Sequence, residues 1–135
     1  MTAKNSLSVK VTQEITYDNI AYQLDAAMHG CFYWASIDSY VKPENKWIWE
    51  SMQDNGSEWR FQTYPLSVGG AVLLTADGYK DGETFRLDLE SIANGLQLMA
   101  DQYPKHFADL MAEEGDATTA DVFTQMAALG SLVFG

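Results

Sequence analysis

The order of apolar and polar positions divides this chain into a strand-rich first part and a helical last third. Near the start, Leu7, Val9 and Val11 alternate with Ser8, Lys10 and Thr12, which predicts a short strand or an ordered arm within residues 1–15. Thr16 stands where a helix N-cap belongs and Asp18 suits the positive end of a helix. Tyr17, Ile20, Ala21, Leu24 and Met28 then recur at helical spacing until Gly30. A first helix over 17–29 follows.

Period two takes over after Cys31. Phe32 and Trp34 project from one face, and Tyr33, Ala35 and Ile37 from the other, of a strand that ends before Pro43. Lys46 to Met52 leads into Asp54, Asn55 and Gly56, a hairpin signal, and Trp59, Phe61 and Thr63 read as the return strand, closed by Pro65. Ala71 to Thr75 and Thr84 to Leu87 add two short strands, separated by a turn at Asp81 and Gly82.

The helical pattern that follows is the sharpest in the chain. Asp88 caps a segment in which Leu89, Ile92, Ala93, Leu96, Met99, Ala100 and Tyr103 make an unbroken apolar stripe, with Gly95 inside it as a point of close packing or a kink. Pro104 opens a second helix that carries Phe107, Leu110 and Met111 up to Gly115. A third follows Thr118, which has capping-box spacing to Asp121, and runs to Gly130 before an apolar tail, Leu132 to Phe134, that docks on the body. The expected fold is α+β. An antiparallel meander of four to five strands packs with an N-terminal helix and a C-terminal layer of three helices, in a single domain over residues 1–135.

Composition narrows the function classes. The 47% hydrophobic residues suffice for a core, so a net charge of -11 marks an acidic surface rather than a disordered chain. One cysteine excludes an internal disulfide, and no long apolar run suggests a leader or a membrane span, so the expected address is the cytoplasm. From Leu87 onward eight acids stand against Lys105 alone. Such a surface repels nucleic acid and attracts basic protein surfaces.

Recognisable chemistry is scarce. His29 and Cys31 lack a third partner and read as an ordinary helix-to-strand junction, and His106 reads as a partly exposed helix residue. Asp77, Asp81, Gly82 and Asp88 mimic part of a calcium loop, but Tyr79 stands where an oxygen ligand is required and a turn explains the same residues. Gly69 and Gly70 lack the lysine of a phosphate loop, and no nucleophile elbow or zinc pattern occurs. Neither catalytic activity nor a cofactor or metal is expected. The candidate partner-binding residues are Asp109, Glu113, Glu114, Asp116 and Asp121, with Trp47 and Trp49 as aromatic anchors. An alternative ligand set for a nucleotide signal comprises Arg60, Tyr64 and Arg86.

The blocks HGCFYW, EWRFQTYPL and FRLDLESIANGLQLMADQYPKHFADLMAEEGDATTADVFTQMAALGSLVFG resemble a family of small bacteriophage and prophage proteins over residues 16–135. Members share a Tyr-Trp strand, here Tyr33 and Trp34, a Tyr-Pro-x-His-Phe junction, here Tyr103 to Phe107, an acidic loop and an aromatic-glycine end. The resemblance implies a phage or prophage setting and transfers no catalytic residue. By analogy with small acidic phage inhibitors, the expected partner is a bacterial defence complex, a CRISPR effector first, whose basic groove an acidic protein covers. The alternatives are a binder of nucleotide signals and a phage assembly or replication accessory protein that forms a homo-oligomer such as a homodimer. The acids also suit the solvated faces of amphipathic helices.

Overall fold

A computed structural model describes residues 6–30, 33–44 and 60–135. Helix α1 (Tyr17–Gly30) starts where the sequence places it: the Thr16 hydroxyl accepts the Asn19 N–H at 3.1 Å. Its inner stripe is Ile20, Leu24 and Ala27, with Asn19 and Gln23 buried alongside. Asn19 Nδ2 donates to the Leu110 carbonyl at 3.0 Å and ties this helix to a helix of the last third.

Three strands form one antiparallel sheet in the order β1 (Ala35–Val41), β2 (Ala71–Ala76), β3 (Phe85–Leu87). Ala35 lies opposite Ala76 and Val41 opposite Ala71, with an irregularity between Ile37 and Ser39. Val72 faces Leu87 across the second pair. This register puts Ala35, Ile37, Tyr40, Val72, Leu74, Ala76, Phe85 and Leu87 on the face that packs into the core, while Ser36, Ser39, Leu73 and Arg86 take the other face.

The meander of four to five strands is therefore corrected to three among the described residues. Residues 6–16 form no strand, and the return strand ending at Thr63 is replaced by α2 (Arg60–Thr63) and a 3₁₀ turn, Tyr64–Leu66. The reason is local. Phe61, Gln62 and Thr63 are buried in succession, which a one-faced strand cannot achieve, and Pro65 supplies the fixed φ and missing N–H that suit the first turn of a helix. The expected hairpin at Asp54 to Gly56, with Trp47 and Trp49 before it, lies outside the described residues.

Three helices complete the domain: α3 (Leu89–Gln102), α4 (Pro104–Met111) and α5 (Ala117–Leu129). Asp88 caps α3 in a reciprocal pair with Ser91, each accepting the other's backbone N–H at 2.9 Å. Helix α5 is the centre of the molecule, with Ala120, Val122, Phe123, Met126 and Ala127 buried together with Thr119, Thr124 and Gln125. Gly95 of α3 sits directly on its backbone, because a Cβ there would stand 2.4 Å from Ala127 Cα. Gly130 ends α5 at φ 76°, where glycine is free of strain.

The start of α5 differs from expectation. Its N-cap is Asp116, which accepts the Thr119 N–H at 3.1 Å, so Thr118 and Asp121 form no capping box. Among the described residues no helix is long and apolar enough to cross a membrane.

Candidate functional site

The connection between α4 and α5 is an acidic turn with a defined backbone. Glu114 N–H donates to the Asp109 carbonyl at 2.8 Å and Glu113 N–H to the Leu110 carbonyl at 3.0 Å, the paired bonds of a Schellman ending. That ending needs a left-handed residue after the helix, a place glycine fills best. Here Glu113 takes it, at φ 58°. A non-glycine residue in this region costs roughly 1–2 kcal/mol.

The strained turn turns its acids outward. Glu113, Glu114 and Asp116 are exposed and Asp109 is half-buried. None of the four makes an ion pair with a described residue; the ion pair seen among the described residues joins Arg86 to Asp88 at 2.7 Å, at the junction of β3 and α3. Hydrogen bonds from the Thr119 backbone, and from the N–H groups of its own turn, hold the Asp116 carboxyl below the usual carboxylate range despite slight desolvation. It keeps its negative charge well into acid. Lys105, one turn before Asp109 on α4, makes no salt bridge with a described residue.

Asp121 belongs to a different arrangement. It is half-buried, accepts the Tyr33 hydroxyl at 2.7 Å and the Trp34 indole N–H at 2.8 Å, and takes a third bond from Gln125 Nε2 at 3.1 Å. The fully buried Gln125 also clamps the C-terminal tail. Its Oε1 accepts the N–H groups of Val133 and Phe134, both at 2.8 Å, and its Nε2 donates to the Phe134 carbonyl at 3.0 Å. Phe134 consequently stacks on Trp34 with centroids 5.3 Å apart and meets the Tyr79 ring edge-on. Asp121 thus fastens the residues leading into β1 to α5 beside the tail, while the other four acids make no ion pair with a described residue.

Nothing in the sequence pattern singled out Gln125, Tyr79 or Phe134 as a connected group. A buried glutamine has the same helical periodicity as an exposed one. The available signal was the apolar tail beyond Gly130, which needed a polar clamp for its backbone.

The alternative ligand set divides between two faces. Arg60 lies over the Tyr40 ring, 5.9 Å from its centroid, and Tyr64 meets Tyr40 edge-on at 5.8 Å. Burial pushes the Tyr40 phenol above its ordinary range, opposed by the neighbouring Arg60 charge. Arg86 pairs with Leu73 on the opposite face and is engaged by Asp88. The structure brings Arg60 and Tyr64 together and leaves Arg86 apart.

Trp47, Trp49 and Cys31 lie outside the described residues. His106 is half-buried on α4, with Nδ1 3.1 Å from the Thr119 hydroxyl. Asp77 and Asp81 flank the β2–β3 turn while Asp88 is committed to its cap, and among the described residues no three His, Cys, Asp or Glu side chains are grouped to hold a metal. Comparison with family models, curated proteins and solved structures finds no match to this chain.

Proposed function

We propose that this protein is an anti-defence factor of a phage or mobile element, which binds a bacterial nucleic-acid-handling complex, a CRISPR effector first, through the acidic turn between α4 and α5. The observation that carries this reading is a hydrogen-bonded turn presenting Glu113 and Glu114 beside Asp109 and Asp116, none of them in a salt bridge with a described residue. The left-handed backbone at Glu113 is in keeping with it, because strained residues concentrate at functional sites as well as in tight turns such as that of Lys80.

Carboxylates spaced along a turn present lysine and arginine side chains with the negative charge that a phosphate backbone would offer. A basic groove therefore attracts the protein at long range and is covered once the two meet. Each contact made by a desolvated carboxylate with a guanidinium adds a charge-assisted hydrogen bond. The role is one of occupation and requires no bond-making chemistry, and the setting is the host cytoplasm.

The test is a competition experiment. Purified CRISPR effector complexes of several types are loaded with guide and labelled target DNA, and the protein is titrated in. Displacement of DNA by the wild type, lost when Glu113 and Glu114 are both changed to Lys, supports the proposal. Both sites are exposed, and lysine at 113 inherits the backbone cost that glutamate already bears, so the variant keeps its fold. An intact panel at saturating protein removes the reading.

A further inference from the structure

Ahead of α1 lies a segment of which Ile15, at its end, packs against the core while residues 6–14 stay exposed. Ser6 to Ile15 belong to no helix or strand and make no hydrogen bond with the described residues. Their side chains nevertheless alternate as in a strand, and the apolar set is exposed to an unusual degree: Leu7 by 91%, Val9 by 75% and Val11 by 69%. Valine and leucine are among the residues most often buried. A strand-patterned segment with unpaired backbone groups is a template for pairing with another chain.

Beside this arm runs a groove of about 970 Å³, lined by Val9 and Val11 on one side and by Ile20, Ile92, Leu96 and Phe107 of the body on the other. Lys10 and Asp101 stand at its walls. The arm thus borders, without filling it, a space whose walls join apolar side chains to polar ones such as Gln97 and Asp101.

Charge selects the occupant. Residues 1–13 contain Lys4 and Lys10 and no acid, whereas all 19 acids of the chain lie from Glu14 onward. The arm is the basic part of an acidic protein, so a second copy offers it a body of opposite sign while presenting an arm of its own in return. This reciprocity is what a twofold interface requires. A nucleic acid would be attracted by the arm and repelled by everything else.

We infer that two copies of this chain associate by exchanging residues 6–14, each arm entering the other's groove with Val9 and Val11 against Ile92, Leu96 and Phe107 and with Lys10 facing Asp101. The association is separate from the acidic turn, which lies at the α4–α5 connection.

Sedimentation velocity on the full chain, from low to high micromolar concentration, provides the test. The wild type sediments as a dimer. Val9→Asp with Val11→Asp raises its dissociation constant at least tenfold, with the far-ultraviolet circular dichroism and the melting of the monomer unchanged because both positions are exposed. Lys10→Glu weakens the dimer as well, and adding Asp101→Lys restores it. A wild type that stays monomeric at high micromolar concentration overturns the inference, as does a dimer indifferent to the double aspartate variant.

Discussion

Replacing Gly95 with alanine sets two opposed effects of known size against each other. In the interior of α3 the substitution improves helix propensity by about 1 kcal/mol. Against this, the new Cβ would stand 2.4 Å from Ala127 Cα and 2.5 Å from Ala127 N, whereas carbon atoms in contact prefer roughly 3.5–4.0 Å. Both offending atoms are backbone, so no rotamer change relieves the clash, and α3 and α5 must move apart. The separation loosens the packing of Ile92, Leu96 and Met99 against the central helix. Overpacking of this kind costs about 1–3 kcal/mol, and the backbone contact puts this site at the upper end.

The net expectation is a loss of about 2 kcal/mol, or a melting temperature lower by roughly 6–10 °C for a domain of this size. Thermal and urea melts followed by circular dichroism measure it. Two controls fix the cause. Ala93→Gly, on the exposed side of the same helix, loses about 1 kcal/mol through propensity alone. Ala127→Gly fails to rescue Gly95→Ala, since it removes a Cβ and leaves the nearer Cα and N in place. A Gly95→Ala variant that is as stable as the wild type, or more so, refutes the backbone contact.

Three further outcomes follow from the site. Glu113→Gly relieves the left-handed strain and stabilises the protein by about 1 kcal/mol in a urea titration, while weakening partner binding. Asp121→Ala strips Tyr33, Trp34 and Gln125 of their shared acceptor and costs about 2–4 kcal/mol by the same assay, with loss of protection from proteolysis in the C-terminal tail. Asp88 and Asp116 both have folded pKa values below their unfolded ones. At Asp88 burial pushes the carboxyl up, but bonds from Ser91 and Arg86 outweigh it; at Asp116 the Thr119 N–H dominates. A depressed carboxylate stabilises the fold above its unfolded pKa of about 4 and loses that contribution as pH falls through the folded value, so melting temperature declines below about pH 4 and Asp88→Asn with Asp116→Asn flattens the decline.

What the sequence revealed depended on whether a pattern had one physical cause. The helix after Asp88 was legible apart from Ala93, which the stripe included and the fold leaves exposed, because a cap, an apolar stripe and a terminal proline agree, and Gly95 marked a close approach or a kink, of which the fold shows the close approach. The acidic connection between α4 and α5 was visible, but the helix before it was carried to Gly115 and ends at Met111, since its left-handed residue is Glu113 where the usual signal is glycine. Residues 60–63 misled because Trp59, Phe61 and Thr63 alternate as a strand does, while the burial of Gln62 between them is set by tertiary packing. Asp121 was grouped with the surface acids for a related reason. Helix α5 is buried on nearly every side, and in such a helix periodicity no longer tells an outward carboxylate from one drawn onto Trp34.

The phage setting is part of the proposal, and the turn supplies the physics on which that proposal rests. If the four carboxylates bind a partner as proposed, they do so through charge, so their contribution must answer to ionic strength and to neutral substitution alike. The direct measurement is the dissociation constant for an effector displaced from its DNA, at low salt and at high salt, for the wild type and for a variant with Asp109→Asn, Glu113→Gln and Glu114→Gln. The wild type is predicted to bind at least tenfold more weakly in high salt, and the neutral variant to bind weakly in both with a shallower dependence. Equal affinity across the two salts, or a neutral variant that binds as the wild type does, would contradict the acidic turn as the binding surface.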